Sequence, residues 1–117
     1  MFLPTSQLCF YLYRRPTDMR KSFDGLSGLI ANNLKQNPLS GAVYVFVNKR
    51  RNRIKLLLWD GDGFWIFYKR LEKGTFQIPD ASSVSTSCAI AYDHLLLMLQ
   101  GIDPTSVKRR VRYRSSA

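Results

Sequence analysis

"LLLWDGDGFWIFYKR", Leu56 to Arg70, sets two aspartates between two tryptophans. Two bulky apolar runs meet there at Asp60-Gly61-Asp62-Gly63. Asp-Gly between aromatic runs is a strong hairpin signal, because the tight turns that join twisted strands need positive φ, which glycine adopts freely. The competing reading is a metal site. A calcium loop of the EF-hand type needs a third oxygen ligand at its fifth position and a glutamate at its twelfth. Counted from Asp60, those positions hold Phe64 and Leu71. A two-metal nuclease needs further carboxylates. Asp18, Asp24, Glu72, Asp80, Asp93 and Asp103 have no recognisable spacing to the pair. The stretch reads as a turn, and no metal is expected.

The strands on either side extend the pattern. Ile54 to Trp59 and Phe64 to Tyr68 are the arms of the hairpin, and Ala42 to Val47 is a nearly continuous run of β-formers that suits a central strand. Leu8 to Tyr13 reads as a short strand and Phe76 to Ile78 as a short edge strand stopped by Pro79. Phe23, Leu26, Ile30 and Leu34 recur at helical spacing after a candidate N-cap at Thr17 or Asp18, and Asn37-Pro38 closes that helix. Gly25 and Gly28 weaken it and suggest close packing against a sheet. After a serine-rich linker, Asp80 to Thr86, a second helix is expected from Cys88 to Gln100. The expected class is α+β: a small, mostly antiparallel β-meander of about four to five strands, with two helices covering one face. The expected layout is one domain over residues 1–106 and a basic, disordered tail over 107–117.

Composition narrows the function. The chain has 117 residues, a net charge of +10 and a pI near 10.1. Removing Lys108, Arg109, Arg110, Arg112 and Arg114 leaves 13 basic residues against 8 acids, so the body still carries +5. That excess points to a polyanionic partner, nucleic acid or an acidic membrane surface. No uncharged apolar run approaches the ~20 residues of a membrane span. The uncharged first thirteen residues lack a basic n-region, and Arg14-Arg15 follows them, the wrong order for a twin-arginine signal. A cytoplasmic location is expected. Cys9 and Cys88 are isolated and read as small core residues of a reducing compartment.

Catalytic chemistry finds no foothold. His94 is the only histidine and no nucleophile is spaced to it. Phosphate-cradling glycine loops and dinucleotide fingerprints are lacking, so no catalytic residue, cofactor or small-molecule substrate is expected. The basic clusters are more informative. "NKRRNRIK", Asn48 to Lys55, packs five cations into seven residues at a turn, where long side chains can grip phosphates. The candidate nucleic-acid contacts are Arg20, Lys21, Lys49, Arg50, Arg51, Arg53, Lys55, Lys69, Arg70 and the tail residues Lys108, Arg109 and Arg110. A merely solvated loop is the plain alternative. Trp59, Trp65 and Tyr68 are either stacking platforms for unpaired bases or part of the sheet core.

"YLYRRPTDMRKSFDGLSGLI", "NPLSGAVYVFVNKRRNRIKLLLWDGDGFWIFYKRLEKGTFQIP" and "LLLMLQGID" together resemble the TnpB-type accessory protein, the second open reading frame product, of the insertion-sequence-66 family of bacterial transposons. The likeness runs from about Leu8 to Asp103. It rests on Asp18, Met19, Arg20, Lys21, Phe23, Asp24 and Gly25; on Asn48 and Lys49; and on Lys55, Trp59, Asp60, Gly61, Asp62, Gly63, Phe64, Trp65, Tyr68, Lys69, Arg70, Leu71 and Glu72. Ser82 to Ala91 departs from the Leu-rich helix start of that family. The resemblance implies a non-catalytic role in transposition beside a separate transposase that carries the catalytic carboxylates. The expected partners are DNA, at transposon ends or non-specifically, and the transposase with other element-encoded proteins. The alternatives are an adaptor for the transposase without DNA affinity of its own and, further off, a metal-dependent nuclease using Asp60 and Asp62.

Overall fold

The computed structural model describes residues 9–78 and 87–100. In chain order it has β1 (Phe10–Tyr13), α1 (Phe23–Asn32), β2 (Val43–Val47), β3 (Arg53–Trp59), β4 (Phe64–Arg70), β5 (Ser87–Ile90) and α2 (Tyr92–Gln100). The five strands form one sheet in the order β4-β3-β2-β1-β5. The hairpin read from Asp60–Gly63 is present: Trp59 faces Phe64 and Arg53 faces Arg70 across β3 and β4. β2 is buried along its whole length, as a strand apolar on both faces must be.

The class is α+β and mostly antiparallel, with a meander over β2, β3 and β4. The meander does not extend to β1, which runs parallel to β2. A parallel neighbour cannot be reached by a tight turn, so the chain crosses over through α1. This also decides the layers. Side-chain alternation sends Phe10, Leu12, Val43, Val45, Val47, Ile54, Leu56 and Leu58 to one core with Leu95 and Met98 of α2. Tyr13, Tyr44, Phe46 and Leu57 go to the other, with Leu26 and Ile30 of α1. The helices therefore cover opposite faces, not one. Each face of the central strands is apolar, and each needs its own cover.

Several local expectations are corrected. α1 begins at Phe23 after Ser22, which makes no side-chain cap. Thr17 and Asp18 lie upstream: the Thr17 amide bonds Val47 O beside the end of β2, and the Asp18 carboxylate is taken by Arg20. The helix stops before Asn37-Pro38. Leu34 N–H reaches Leu29 O, Gln36 N–H reaches Ile30 O, and Lys35 turns left-handed at φ +56°. Gly25 is close-packed on the Lys21 side chain and not on the sheet, since an added Cβ would stand 3.1 Å from Lys21 Cβ. A Cβ on Gly28 would meet open space.

Phe76 to Ile78 forms no strand, although Phe76 is buried and its amide bonds Arg51 O. Cys88 lies in β5, opposite Leu12, and the helix starts at Tyr92. Cys9 is exposed, not a core residue. The serine-rich linker and the tail lie outside the described residues.

Candidate nucleic-acid interface

The basic turn between β2 and β3 is built around Asn48. Its amide donates to Arg53 O and its carbonyl accepts from the Arg51 amide. Its side-chain Oδ1 accepts from the amides of Asn52 and Arg53, both at 3.0 Å, while Nδ2 donates to Asn52 Oδ1 at 2.8 Å. From outside the turn, the amides of Leu71 and Phe76 bond the carbonyls of Asn52 and Arg51. Arg51 adopts φ +59°, a left-handed conformation that non-glycine residues enter at a cost of roughly 1–2 kcal/mol. Lys49, Arg50 and Arg51 are exposed. Their backbone is held by neighbouring hydrogen bonds, unlike that of a loosely solvated loop.

The segment after β1 makes the opposite wall. Lys55 is buried, and its ammonium donates to the carbonyls of Met19 and Lys21, each at 2.8 Å. The same ammonium lies 4.8 Å from the centre of the Tyr68 ring. One lysine thus ties the Asp18–Lys21 segment to the sheet. Between this segment and the turn opens a groove of about 520 Å³, lined by Pro16, Thr17, Asp18, Met19, Arg20, Asn48, Lys49, Arg50, Asn52 and Arg53. Thr17 lies buried at the groove.

Electrostatics differ among the cations. Two ion pairs occur among the described residues, Asp18–Arg20 at 2.7 Å and Arg70–Glu72 at 2.6 Å. Hydrogen bonds from the Arg20 guanidinium and amide hold the Asp18 carboxyl down to about 2. Carboxylate neighbours raise the pKa of both arginines, Arg20 through Asp18 and Arg70 through Glu72. Arg53 donates instead to the Tyr68 hydroxyl at 3.0 Å. Arg53 and Arg70 stand opposite each other across β3 and β4, a like-charge juxtaposition that costs stability.

Of the sequence-selected cations, the structure gathers Arg20, Lys49, Arg50 and Arg53 around one groove. Arg51 completes the turn, Arg70 flanks Arg53, and Lys21 is exposed at the start of α1. Lys55 leaves the set because it points inward. Lys69 also leaves it: the residue lies on the α2 face, where its ammonium donates to Leu99 O at 3.0 Å. Lys108, Arg109 and Arg110 lie outside the described residues. Sequence reasoning missed Asn52 and the role of Asn48, which together organise the turn. The signal was available, since asparagine at a turn start bonds the backbone two or more residues on.

The aspartates organise the other end of the hairpin. Asp60 N–H bonds Gly63 O, Asp60 Oδ1 accepts from the Asp62 amide, and Oδ2 accepts from the Trp65 indole N–H. The indole bond holds the Asp60 carboxyl below its ordinary value, and the neighbouring Asp60 carboxyl pushes that of Asp62 up. No group of three or more metal-ligating side chains occurs among the described residues. The aromatics divide between the two readings. Trp59 is half-buried edge-on to Phe64, while Trp65 and Tyr68 are exposed. His94 is exposed on α2. The motif residues Phe23, Asp24 and Gly25 sit in the first turn of α1, just past the segment Lys55 holds.

The fold and the groove describe a small α+β protein with a groove lined by cationic side chains. The family described as IS66 Orf2 like protein matches residues 8–109, and the chain belongs to it. This membership ties it to transposition in an accessory role. The uncharacterized protein y4jC of Sinorhizobium fredii (strain NBRC 101917 / NGR234) is 31% identical over 110 residues, covering 94% of this chain and 92% of that protein. The uncharacterized protein y4hO of the same strain is 38% identical over 87 residues, covering 74% of each. No solved structure matches. No helix among the described residues is long and apolar enough to cross a membrane.

Proposed function

We propose that this chain is a non-catalytic subunit of bacterial transposition that grips DNA phosphates while a separate transposase performs the chemistry. The contact surface is the Lys49–Arg50–Arg51 turn with Arg53, Arg20 and Lys21, flanked by Arg70, and the tail cations Lys108, Arg109 and Arg110 add non-specific affinity. The observation that carries this reading is the pinned turn. Asn48 brackets the turn that carries three successive exposed cations, and neither ion pair among the described residues involves them. Preorganised charges lose less entropy on binding than a floppy loop does. Tyr68, exposed beside Arg53, offers a face for a base or sugar. Site of action is the bacterial cytoplasm, where element DNA and transposase meet.

Fluorescence anisotropy with a labelled transposon end, a scrambled duplex and a single strand, across a salt series, tests the reading. Binding is expected to weaken linearly in log–log form, with a slope near 0.9 per duplex phosphate contacted. Changing Lys49, Arg50, Arg51 and Arg53 together to alanine is expected to flatten that slope by roughly three to four. A preference of tenfold for the transposon end, about 1.4 kcal/mol, would make this an end-recognition subunit. Absence of binding at low salt would overturn the proposal and leave the adaptor role.

A further inference from the structure

β4 is one of the two edge strands of the sheet among the described residues. It is seven residues long, and five of them, Phe64 to Tyr68, are aromatic or aliphatic. A long apolar edge of this kind is an association site unless something covers it. Its open hydrogen-bonding groups can be placed. The Asp60 amide bonds Gly63 O at one end of the hairpin, and the Leu71 amide bonds Asn52 O at the other. Antiparallel ladders alternate, so Trp65, Phe67 and Lys69 direct their backbone groups to β3. Phe64, Ile66, Tyr68 and Arg70 therefore direct theirs outward.

The side chains select an occupant. One end of the edge carries the exposed carboxylate of Asp62 and the other the exposed guanidinium of Arg70, which is also bonded to Glu72. Such an edge complements itself only when antiparallel. Three two-fold registers place outward-facing residues in hydrogen-bonded pairs near the strand centre. Centring on Phe67 sets Asp62 opposite Glu72 of the second copy, which repels. Centring on Tyr68 pairs Arg70 with Ile66. Centring on Ile66 sets Phe64 opposite Tyr68 and Trp65 opposite Phe67 within the strand, and brings Asp62 of the turn alongside Arg70, twice over by symmetry. Opposite charges and aromatic pairs directly across a ladder each stabilise it.

We infer that a second copy of this chain pairs antiparallel along the outer edge of β4, centred on Ile66, to make one continuous sheet. The two-fold runs perpendicular to the sheet, so α1 of both copies lies on the same face of the dimer. The Asp62 carboxyl, pushed up by Asp60 in the isolated chain, gains a guanidinium partner there. The net charge of +10 per copy opposes this association, and salt screens that repulsion.

Sedimentation of the full chain at about 0.3 M salt, with residue-resolved hydrogen exchange, tests the inference. A concentration-dependent dimer is expected, in which the amides of Phe64, Ile66, Tyr68 and Arg70 become as protected as those of Trp65, Phe67 and Lys69, and lose that protection on dilution. Asp62→Lys is expected to weaken the dimer at least tenfold, and adding Arg70→Glu to restore it, with folding checked by circular dichroism. A monomer at all concentrations, or a dimer indifferent to both variants, overturns the inference. So does protection of the four outward amides in a monomer, which would assign the edge to another segment of the same chain.

Discussion

The ammonium of Lys55 donates to the carbonyl of Met19 at 2.8 Å, joining β3 to a segment 36 residues earlier. It donates equally to Lys21 O, so two carbonyls of one loop depend on one buried cation. This contact links two halves of the family pattern that are far apart in sequence, the Asp18–Lys21 segment and the Lys55–Trp59 strand. Lys55→Met keeps the stem and removes both bonds. Hydrogen bonds to charged groups contribute roughly 1.5–3 kcal/mol, so urea unfolding is expected to show a loss of about 2 kcal/mol. Under the proposed DNA-binding role, affinity is expected to fall with it, because Arg20 loses its fixed position. A lysine that served only as a phosphate contact would leave stability unchanged.

Asn48 is the second structural centre. Asn48→Ala leaves the amides of Asn52 and Arg53 and the Asn52 side chain without their partner. The expected loss is about 2 kcal/mol, within the usual cost of orphaned polar groups. Asn48→Asp retains both acceptor bonds and is expected to stay within about 1 kcal/mol of the parent. It nonetheless places a carboxylate beside Lys49 and Arg50, so under the proposed role its DNA affinity is expected to fall. Urea titration and anisotropy on the two variants separate the architecture of the turn from its charge.

What the sequence made legible follows from locality. The Asp60–Gly63 turn, the two strands it joins and the Leu26–Ile30 face of α1 are encoded within a few residues and were read correctly. The parallel pairing of β1 with β2 was not, because it depends on partners about 30 residues apart and has no turn to announce it. β5 was absorbed into the second helix, since Ser87–Ile90 runs almost directly into Tyr92 without a glycine or proline between. Opposite placement of the helices followed from the missed crossover. Lys55 was legible in principle. Alternation puts it on the face of Leu57 and Trp59, which marks an inward-pointing residue, but the surrounding charge run was read as uniformly exposed.

Arg53 faces Arg70 across the ladder, so one of the two is placed at a cost to the fold. Arg53→Thr removes the repulsion and keeps a good strand former. It gives up one hydrogen bond to Tyr68 on an exposed surface. Thermal or urea unfolding is expected to show stability unchanged or raised by up to about 0.5 kcal/mol. The salt slope of DNA binding is expected to fall by about 0.9, the share of one phosphate contact. A destabilised variant with an unchanged slope would make Arg53 a structural residue.

The two acids of the turn titrate in opposite directions, which gives the hairpin a readable pH response. Asp60 is held below its ordinary value by the Trp65 indole, so its contribution to stability is present above about 3.9 and is lost as pH falls through the lower folded value. Asp62 is pushed up by Asp60, so its contribution has the other sign. The penalty is absent in acid and sets in as pH rises from about 3.9 through the raised folded value. At low protein concentration, Asp62→Asn is therefore expected to match or exceed the parent in stability at pH 7 and to be indistinguishable from it near pH 2.5. Asp60→Ala is expected to lose stability at pH 7 and to shift Trp65 emission to the red, read in a Trp59→Phe background so that one indole reports. Acidifying the parent in that background is expected to reproduce the shift as Asp60 protonates. If the emission stays unchanged in both cases, the carboxylate does not hold the indole.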